Sequence, residues 1–245
     1  MTQHILLIGA TSAVAEAIGR LYAKNGARIS LIARRESRLS EVVSDLTSRG
    51  AKCHAYVADI RDRPLLTKHL DSIFAEQPLD RVFCCHGVLG NTDLACTDVN
   101  QAVEILDINF NSAALILSDI CYRLVQIEQP ATIVGISSVA GDRGRQSNFY
   151  YGAAKAGMSV FLQGLRNRYF SKGIHVLTVK PGFLDTPMTA DIPKNALFVS
   201  PDFVAKSIVT AIKRGRNEIY VPGVWRIIMV IIKMVPEFLF KRLSL

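Results

Sequence analysis

The stretch ATIVGISSVAGDRGRQSNFYYGAAK, residues 131–155, joins a short apolar run to a helical pattern. Residues 131–136 are mainly apolar and few in number, which is typical of a buried strand. A helix over residues 146–169 places Tyr151 and Lys155, four positions apart, on one face. The stretch therefore predicts a strand, a loop and a helix, which together form a unit of an α/β fold.

A hydroxyl, a phenol and an ammonium lie in this stretch at Ser138, Tyr151 and Lys155. A fixed ammonium favours the phenolate, so we expect Lys155 to lower the pKa of Tyr151 from its usual value near ~10. Ser138 follows the carboxyl end of the strand and can donate to the same substrate oxygen. The three residues suit proton transfer to a carbonyl oxygen, and the alternative is a helix surface pair. Tyr150 is assigned to packing and Ser137 to the strand end.

Strand-like and helix-like stretches alternate over the rest of the chain. Strands are predicted at residues 5–8, 28–33, 52–57, 81–85, 131–136, 175–179 and 218–221. Helices are predicted at residues 13–24, 37–49, 64–76, 99–128, 146–170 and 201–214. This order predicts an α/β fold with one doubly wound Rossmann domain over residues 1–245, in which helices cover both faces of a seven-stranded parallel sheet. A dinucleotide is expected across the carboxyl edge of the sheet.

The sequence resembles the short-chain dehydrogenase/reductase family. The resemblance depends on Ser138, Tyr151 and Lys155, on the turn PGFLDT at residues 181–186, and on Asn109 within the sequence DINF. It implies that Ser138, Tyr151, Lys155 and Asn109 are catalytic, with Asn109 or a backbone kink beside it holding a water that links Lys155 to solvent. The turn at residues 181–186 is implied to bind the nicotinamide.

The resemblance also implies a set of cofactor contacts. The family's phosphate-binding turn normally has three glycines, of which this sequence keeps Gly9, while Thr11 and Ser12 can donate at a helix N-terminus. Alanines stand in place of the other two glycines. The complete expected set is Gly9, Thr11, Ser12, Ala13, Val14, Arg34, Arg35, Asp59, Ile60, His86, Gly87, Tyr151, Lys155, Pro181, Gly182, Leu184 and Thr186.

Arg34 and Arg35 end the second predicted strand, where an acidic residue would bind the ribose 2′-hydroxyl of NAD. Arginines instead accommodate a 2′-phosphate, so NADP(H) is the expected cofactor, and a solvated basic helix start is the alternative. The resemblance implies that Asp59 contacts the adenine. His86 replaces a residue of the family's Asn-Ala-Gly run, and both a titrating and a structural role stay open for it.

Residues 183–200 contain prolines and mixed polarity, as expected of a loop that covers the substrate. Phe183, Leu184, Met188 and Leu197 are expected to line its substrate side. The glycine-rich rim that holds Arg143 and Arg145 either meets an anionic substrate or is a solvated loop.

The net charge of +8 is concentrated near the C-terminus, where residues 206–245 carry eight Lys or Arg against two Glu. The segment 223–245 mixes these charges with large apolar residues, and its longest uncharged apolar run has six residues, too few to span a membrane. It is expected to pack as a substrate lobe or subunit contact, or to lie in a membrane interface. No nucleic-acid motif, metal site or disulfide framework is expected, because the five cysteines form no C-x-x-C pair.

Within the family, the sequences HGVLG (86–90) and DRGRQSNF (142–149) and the tail resemble the decaprenylphosphoryl-2-keto-ribose reductase group. This resemblance implies reduction of a ketone on a polyprenyl-phosphate-linked pentose. Two alternatives stay open, a reductase of a soluble ketone such as a steroid, sugar or acyl carbonyl, and a dinucleotide-sensing protein without turnover. A homodimer or homotetramer is expected. The expected location is the cytoplasm, including peripheral contact with the inner face of the membrane.

Overall fold

The computed structural model describes residues 2–189 and 193–243, apart from the side chain of Met188. Seven parallel strands form one sheet in the order β3-β2-β1-β4-β5-β6-β7. Their bounds are β1 His4–Ile8, β2 Arg28–Ala33, β3 Lys52–Val57, β4 Arg81–Cys84, β5 Ala131–Ile136, β6 Ile174–Pro181 and β7 Glu218–Val221. The predicted doubly wound parallel sheet is confirmed, and the strand order reverses between β1 and β4, where such folds bind their ligands.

Helices lie on both faces of the sheet. Their bounds are α1 Ala13–Ala23, α2 Glu36–Ser48, α3 Arg63–Glu76, α4 Thr92–Thr97, α5 Val99–Leu106, α6 Ser112–Gln126, α7 Phe149–Tyr169, α8 Pro201–Lys213, α9 Val224–Met234 and α10 Glu237–Phe240. One apolar core joins the sheet to α1, α2 and α8. A second core joins the opposite face to α3, α6 and α7.

The prediction of one continuous helix over residues 99–128 is wrong. A π-helical turn, Asp107–Asn111, separates α5 from α6. The Asn109 amide donates to the Ile105 carbonyl oxygen at 2.8 Å, which is the acceptor that the Asn109 backbone N–H would use in a regular α-helix. This competition between side chain and backbone explains the break, because the sequence pattern shows only the apolar period.

The C-terminal segment forms a helix, α9, that packs on the sheet edge through one face. Trp225 and Met229 are buried against Val139 and Phe183. The segment therefore packs on the domain through this face, whereas Ile227 and Ile231 on the opposite face are exposed. Among the helices of the described residues, none has the length and apolar character to cross a membrane.

Candidate active site

Nearly all the predicted site residues line one cavity of about 680 Å³ at the carboxyl edge of the sheet. All seventeen expected cofactor contacts are part of its wall, as is Ser138. Asn109 is the exception, since it lies behind the wall. The loops that follow β1, β2, β4, β5 and β6 therefore bring residues from across the sequence to one place, as expected for a doubly wound sheet.

The turn after β1 has the geometry of a phosphate-binding turn. Gly9 has a φ of +77°, and a Cβ on it would lie 2.7 Å from His86. A side chain at this position would therefore be strained and would collide with the β4 loop. Ser12 caps α1 by accepting from the Ala15 N–H at 3.2 Å, so the first turn of α1 opens into the cavity. Helix N-termini of this kind attract phosphate groups, so the turn fits a dinucleotide without its second and third glycines.

Three arginines stand at the end of β2. Arg34 and Arg35 line the cavity as predicted, and Arg38, one turn into α2, joins them. Arg34 lies 4.0 Å from the Asp59 carboxylate and is 61% exposed, so its charge remains accessible. Asp59 accepts two hydrogen bonds from the Arg61 side chain, and its pKa is lowered to about 2 by them.

Ser138 is held close to α7 by two glycines. A Cβ on Gly141 would lie 2.6 Å from the Ala156 nitrogen, and one on Gly152 would lie 2.9 Å from the Ala140 oxygen. The short 3-10 turn Val139–Gly141 therefore packs backbone against backbone on the catalytic helix. The Ser138 oxygen accepts from the Ala140 N–H at 3.1 Å, which leaves its O–H free to donate into the cavity.

Tyr151 lies on the same helix, with its ring 5.6 Å from the Lys155 ammonium. Burial raises the pKa of the Tyr151 phenol, while the Ser138 side chain and the Arg145 guanidinium each act to lower it. The pKa of the phenol is therefore raised overall, whereas the expectation was that it is lowered. The Arg145 guanidinium is a cation that acts to lower it. Tyr150 packs beside Tyr151 against Ala95 and Ile105, as the packing assignment predicted.

Lys155 is 4% exposed. Its Nζ donates to the Ile136 carbonyl oxygen at 3.1 Å, and burial lowers its pKa to about 8. A Cβ on Gly87 would lie 3.3 Å from this Nζ and 2.8 Å from the Asn109 oxygen, so Lys155 and Asn109 flank Gly87 together. Asn109 also accepts from the Val88 N–H at 3.2 Å and donates to the Val88 carbonyl oxygen at 2.8 Å. Asn109 thus fixes the loop that faces Lys155.

His86 is a neutral side chain in the cavity wall. Burial lowers its pKa to about 3, and the nearby charge of Lys155 acts in the same direction. Its ring nitrogens lie 3.6 Å from the Cys84 sulfur and 3.4 Å from the Ser112 hydroxyl. Of the two roles considered for His86, these contacts favour the structural one.

The predicted substrate side is formed by apolar residues of two distant segments. Phe183 and Leu184 line the cavity, and the indole of Trp225 of α9 lies directly against Gly182, where it leaves no space for a Cβ. Leu197 packs in the cluster around Trp225 but does not line the cavity. Residues 190–192 of the expected loop 183–200, residues 244–245 of the tail and the Met188 side chain lie outside the described part of the chain.

The sequence did not identify several polar or aromatic residues that line the cavity as site residues, among them Arg38, Asn148 and Trp225. Arg145, which also lines it, belongs to the rim for which contact with an anionic substrate was one of two expectations. Arg38 lies in the first turn of α2, which begins at Glu36, directly after Arg34 and Arg35. Asn148 immediately precedes the catalytic helix. Trp225 has no local signal, because its position depends on contact with a segment more than forty residues away.

A family model described as short chain dehydrogenase matches residues 3–197. The chain belongs to this family. It is therefore an oxidoreductase of the short chain dehydrogenase family, whose members bind NAD or NADP. The family assignment explains why the serine, tyrosine and lysine converge on one cavity.

Several relatives resemble the chain over most of its length. An uncharacterized oxidoreductase of Streptomyces coelicolor, from the mprA 5′ region, is 31% identical over 244 residues, covering 98% of this chain and 96% of the relative. The ketoacyl reductase HetN of a Nostoc species is 28% identical over 227 residues, covering 89% and 77%. A short-chain dehydrogenase from Sphingobium yanoikuyae, solved in complex with NADPH, has a TM-score of 0.82 at 19% identity and covers 96% and 97% of the two chains, which shows the shared fold.

Proposed function

We propose that this protein is an NADPH-dependent reductase that converts a ketone to an alcohol. The observation that carries the proposal is the convergence of Ser138, Tyr151 and Lys155 on the cavity that Arg34 and Arg35 border at its other end. A hydroxyl, a phenol and an ammonium beside one another suit proton transfer to a carbonyl oxygen. The relative from Nostoc is named a ketoacyl reductase, which agrees with this direction of reaction.

In the proposed reaction, Tyr151 gives its phenolic proton to the carbonyl oxygen, and the Ser138 O–H donates to the same oxygen as negative charge develops on it. A dihydronicotinamide held in this cavity would supply the hydride that the carbonyl carbon accepts, and Lys155 would hold its ribose. Lys155 also returns a proton to Tyr151. Asn109 shapes the relay to solvent, because its side chain holds the Val88 backbone beside Lys155. The products are the alcohol and the oxidised dinucleotide.

The preference for NADP(H) over NAD(H) rests on the end of β2. A 2′-phosphate there would meet Arg34 and Arg35, and no carboxylate of the described residues lies within 4.0 Å of the Arg35 side chain. Arginine and phosphate form charge-assisted hydrogen bonds, and the N–H donors of an arginine without a carboxylate partner are available for them. The Sphingobium structure, which has the same fold, contains NADPH.

We further propose that the ketone is carried by a polyprenyl-phosphate-linked keto-pentose, as in the decaprenylphosphoryl-2-keto-ribose reductase group. The C-terminal segment supports a lipid-linked substrate. Ile227, Val230, Ile231 and Met234 share one face of α9 and are each more than half exposed. We name these four residues the apolar stripe.

The apolar stripe is bordered by basic residues, and its helix begins at the cavity. Arg226, Lys233, Lys241 and Arg242 are exposed around it, and Trp225, at the start of α9, lines the cavity. An amphipathic surface of this composition binds an anionic membrane interface and would keep a lipid-linked ketone near Tyr151. The proposed location is the cytoplasm, with peripheral contact to the inner membrane face.

We also propose a homodimer or homotetramer formed through α6 and α7. Leu115 and Tyr122 on α6 and Val160 on α7 are large apolar side chains that are 42%, 61% and 66% exposed. Exposed apolar side chains on neighbouring long helices are typical of subunit contacts. Light scattering of the purified protein measures the assembly, and a monomeric mass contradicts it.

The experiment that tests the proposed function is NADPH oxidation by the purified protein, with and without phosphatidylglycerol vesicles. The substrates are a polyprenyl-phosphate-linked 2-keto-pentose and a panel of soluble steroid, sugar and acyl ketones. Turnover of the lipid-linked ketone, raised by vesicles, is the expected result. Turnover of soluble ketones alone contradicts the lipid-linked substrate, and NADPH binding without any turnover favours a dinucleotide-sensing protein.

A further inference from the structure

Two arginines, Arg143 and Arg145, lie in the rim between Ser138 and Tyr151, and they differ in whether a carboxylate lies beside them. Arg143 donates to the backbone oxygens of Lys233 at 3.1 Å and Val235 at 2.8 Å and to the Glu237 carboxylate at 2.8 Å. Its guanidinium also lies 3.9 Å from the centre of the Phe240 ring. Arg143 thus holds the C-terminal segment on the rim and is paired with the Glu237 carboxylate.

Arg145, in contrast, has no carboxylate beside it in the described part of the chain. Among residues 2–189 and 193–243, no carboxylate lies within 4.0 Å of its guanidinium, and its Nε is buried without a hydrogen-bond partner. The side chain lines the cavity, and its charge acts on the Tyr151 phenol. The residue is partly buried, so its charge is partly withdrawn from water without a counter-charge. An arginine in this position is therefore suited to an anion that arrives with a ligand.

Asn148 provides a second, independent observation. It precedes α7 at the N-cap position, where an asparagine normally accepts a backbone N–H of the first turn, yet its side chain makes no capping bond. Its Oδ1 is buried without a partner, and the residue lines the same cavity. The first turn of α7 has no acidic side chain. The amide therefore remains available for a polar group of a ligand, such as a hydroxyl.

The anion belongs to the substrate and not to the cofactor, because of the position of Arg145 along the sheet. The proposed phosphate contacts follow β1 and β2, whereas Arg145 follows β5. In the order β2-β1-β4-β5, the strand that leads to Arg145 lies two to three strands, or roughly 10–14 Å at the usual spacing, from the strands that lead to the phosphate contacts. Arg145 and Asn148 instead lie beside Tyr151, where the carbonyl is proposed to be reduced.

We propose that Arg145 and Asn148 form a substrate subsite, in which Arg145 binds a phosphate or carboxylate close to the reacting carbonyl and Asn148 binds a neighbouring hydroxyl. This inference rests on the proposed function, since it places the carbonyl at Tyr151. It assigns residues to the phosphate and to a hydroxyl of the substrate, and it predicts that other anionic hydroxyketones bind at the same place. A phosphate of this kind is present both in lipid-linked sugars and in free sugar phosphates.

Binding measurements test the subsite without turnover. Dihydroxyacetone phosphate and dihydroxyacetone differ only in a phosphate next to the ketone, and neither can be reduced by protein saturated with NADP⁺. We expect calorimetry to show about 10–100-fold tighter binding of the phosphate form, a typical value for a charge-assisted hydrogen bond. Arg145→Gln should remove this difference, and Arg145→Lys should restore part of it. The exposed Arg214→Gln is the matched control and should leave both affinities unchanged.

Equal binding of the two ketones by the unaltered protein, or an unchanged preference in Arg145→Gln, overturns the subsite. A structural role for Arg145 predicts a lower Tm for Arg145→Gln, whereas loss of an unpaired buried charge predicts an equal or higher Tm. If Arg145 acts only on the Tyr151 phenol, Arg145→Gln should lower kcat equally with both ketones and shift the pH profile of kcat. That result also contradicts the subsite.

Two further results separate the inference from the proposed function and identify the source of the anion. The protein could bind the phosphate form more tightly, lose this preference in Arg145→Gln, and still oxidise no NADPH with any ketone. This result supports the subsite and contradicts the proposed function. Ketone reduction with no preference for the phosphate form supports the proposed function while the subsite fails. Tighter, Arg145-dependent binding of a prenyl-phosphate-linked keto-pentose than of dihydroxyacetone phosphate supports the subsite and assigns its phosphate to a lipid.

Discussion

The Lys155 ammonium donates to the carbonyl oxygen of Ile136, the last residue of β5, at 3.1 Å. The next residue, Ser137, donates through its hydroxyl to the Lys155 carbonyl oxygen at 2.9 Å. The end of β5 therefore holds Lys155 by both its side chain and its backbone. Because Ser138 follows directly, these two contacts fix the positions of Ser138 and Lys155 relative to each other.

The close packing of the Val139–Gly141 turn on α7 predicts that Gly141→Ala lowers activity. The added Cβ would lie 2.6 Å from a helix backbone atom, so Ser138 must move away from Tyr151. We expect kcat to fall by at least about 10-fold and the free energy of unfolding to fall by about 1–3 kcal/mol, as for other overpacked sites. Gly144→Ala is the control, since nothing lies within 4 Å of its Cβ position. Equal activity of the two variants would show that this packing does not set the site.

The arginines at the end of β2 predict the cofactor preference. Replacing Arg34 and Arg35 together by Ala should raise the KM for NADPH by about 10–100-fold, the range for lost charge-assisted hydrogen bonds. The KM for NADH should change little, because NADH has no 2′-phosphate. Steady-state kinetics with both cofactors measures the two effects in one preparation, and a parallel loss with NADH would contradict the assignment.

The buried lysine predicts the pH dependence of activity. Burial lowers the pKa of Lys155 to about 8, so the side chain is charged below that pH and neutral above it. Burial raises the pKa of Tyr151, so the phenol keeps its proton through this range. We expect kcat/KM for NADPH to fall as the pH rises through about 8, since this parameter reports groups of the free protein.

A variant at Lys155 tests whether this residue causes the fall of kcat/KM near pH 8. Lys155→Arg keeps its charge at high pH, so its profile should lack the fall near pH 8 even though the variant is slower. A wild-type profile that stays flat up to about pH 10, the usual range of lysine, would assign the site a different titrating group.

A buried ion pair under the rim predicts a large effect on stability. The Lys180 ammonium lies 2.9 Å from the Asp142 carboxylate, with side chains only 8% and 5% exposed. Lys180 also pairs with Glu218 at 3.0 Å, and Lys180→Met leaves the buried Asp142 charge with the Tyr220 hydroxyl alone as its donor. The variant should lower the free energy of unfolding by about 3–5 kcal/mol. Lys194→Met breaks an exposed pair with Asp185, 60% and 52% exposed, and should cost about 1 kcal/mol or less. Denaturant titration measures the free energy of unfolding of both variants. Equal losses in the two variants would contradict the claim that burial makes the Lys180–Asp142 pair matter more.

Local pattern was sufficient to predict the sheet and most of its helices. The strands at residues 28–33, 52–57, 131–136 and 218–221 have the predicted bounds, because each is a short run of strand-forming residues between turns. The convergence of Ser138, Tyr151 and Lys155 also followed from spacing, since residues 151 and 155 share a helix face and Ser138 ends a neighbouring strand.

Features that depend on contacts between distant segments could not be predicted. The Asn109 side chain, which bonds to the Ile105 carbonyl oxygen in the π-helical turn, also depends on the Val88 backbone, twenty-one residues away. Arg143 and Arg145 are two residues apart in similar sequence, and only the position of the C-terminal segment pairs one and leaves the other unpaired. Short helices such as α4, with six residues, have too few turns to show a period.

The most direct test of the central claim is NADPH oxidation by Tyr151→Phe, measured beside the unaltered protein on the same ketones. The account predicts that the variant binds NADPH with unchanged affinity and loses reduction by about 10²–10⁴-fold, the usual contribution of a positioned proton donor. An unchanged rate in Tyr151→Phe would contradict the proposed role of Tyr151 as the proton donor to the carbonyl oxygen.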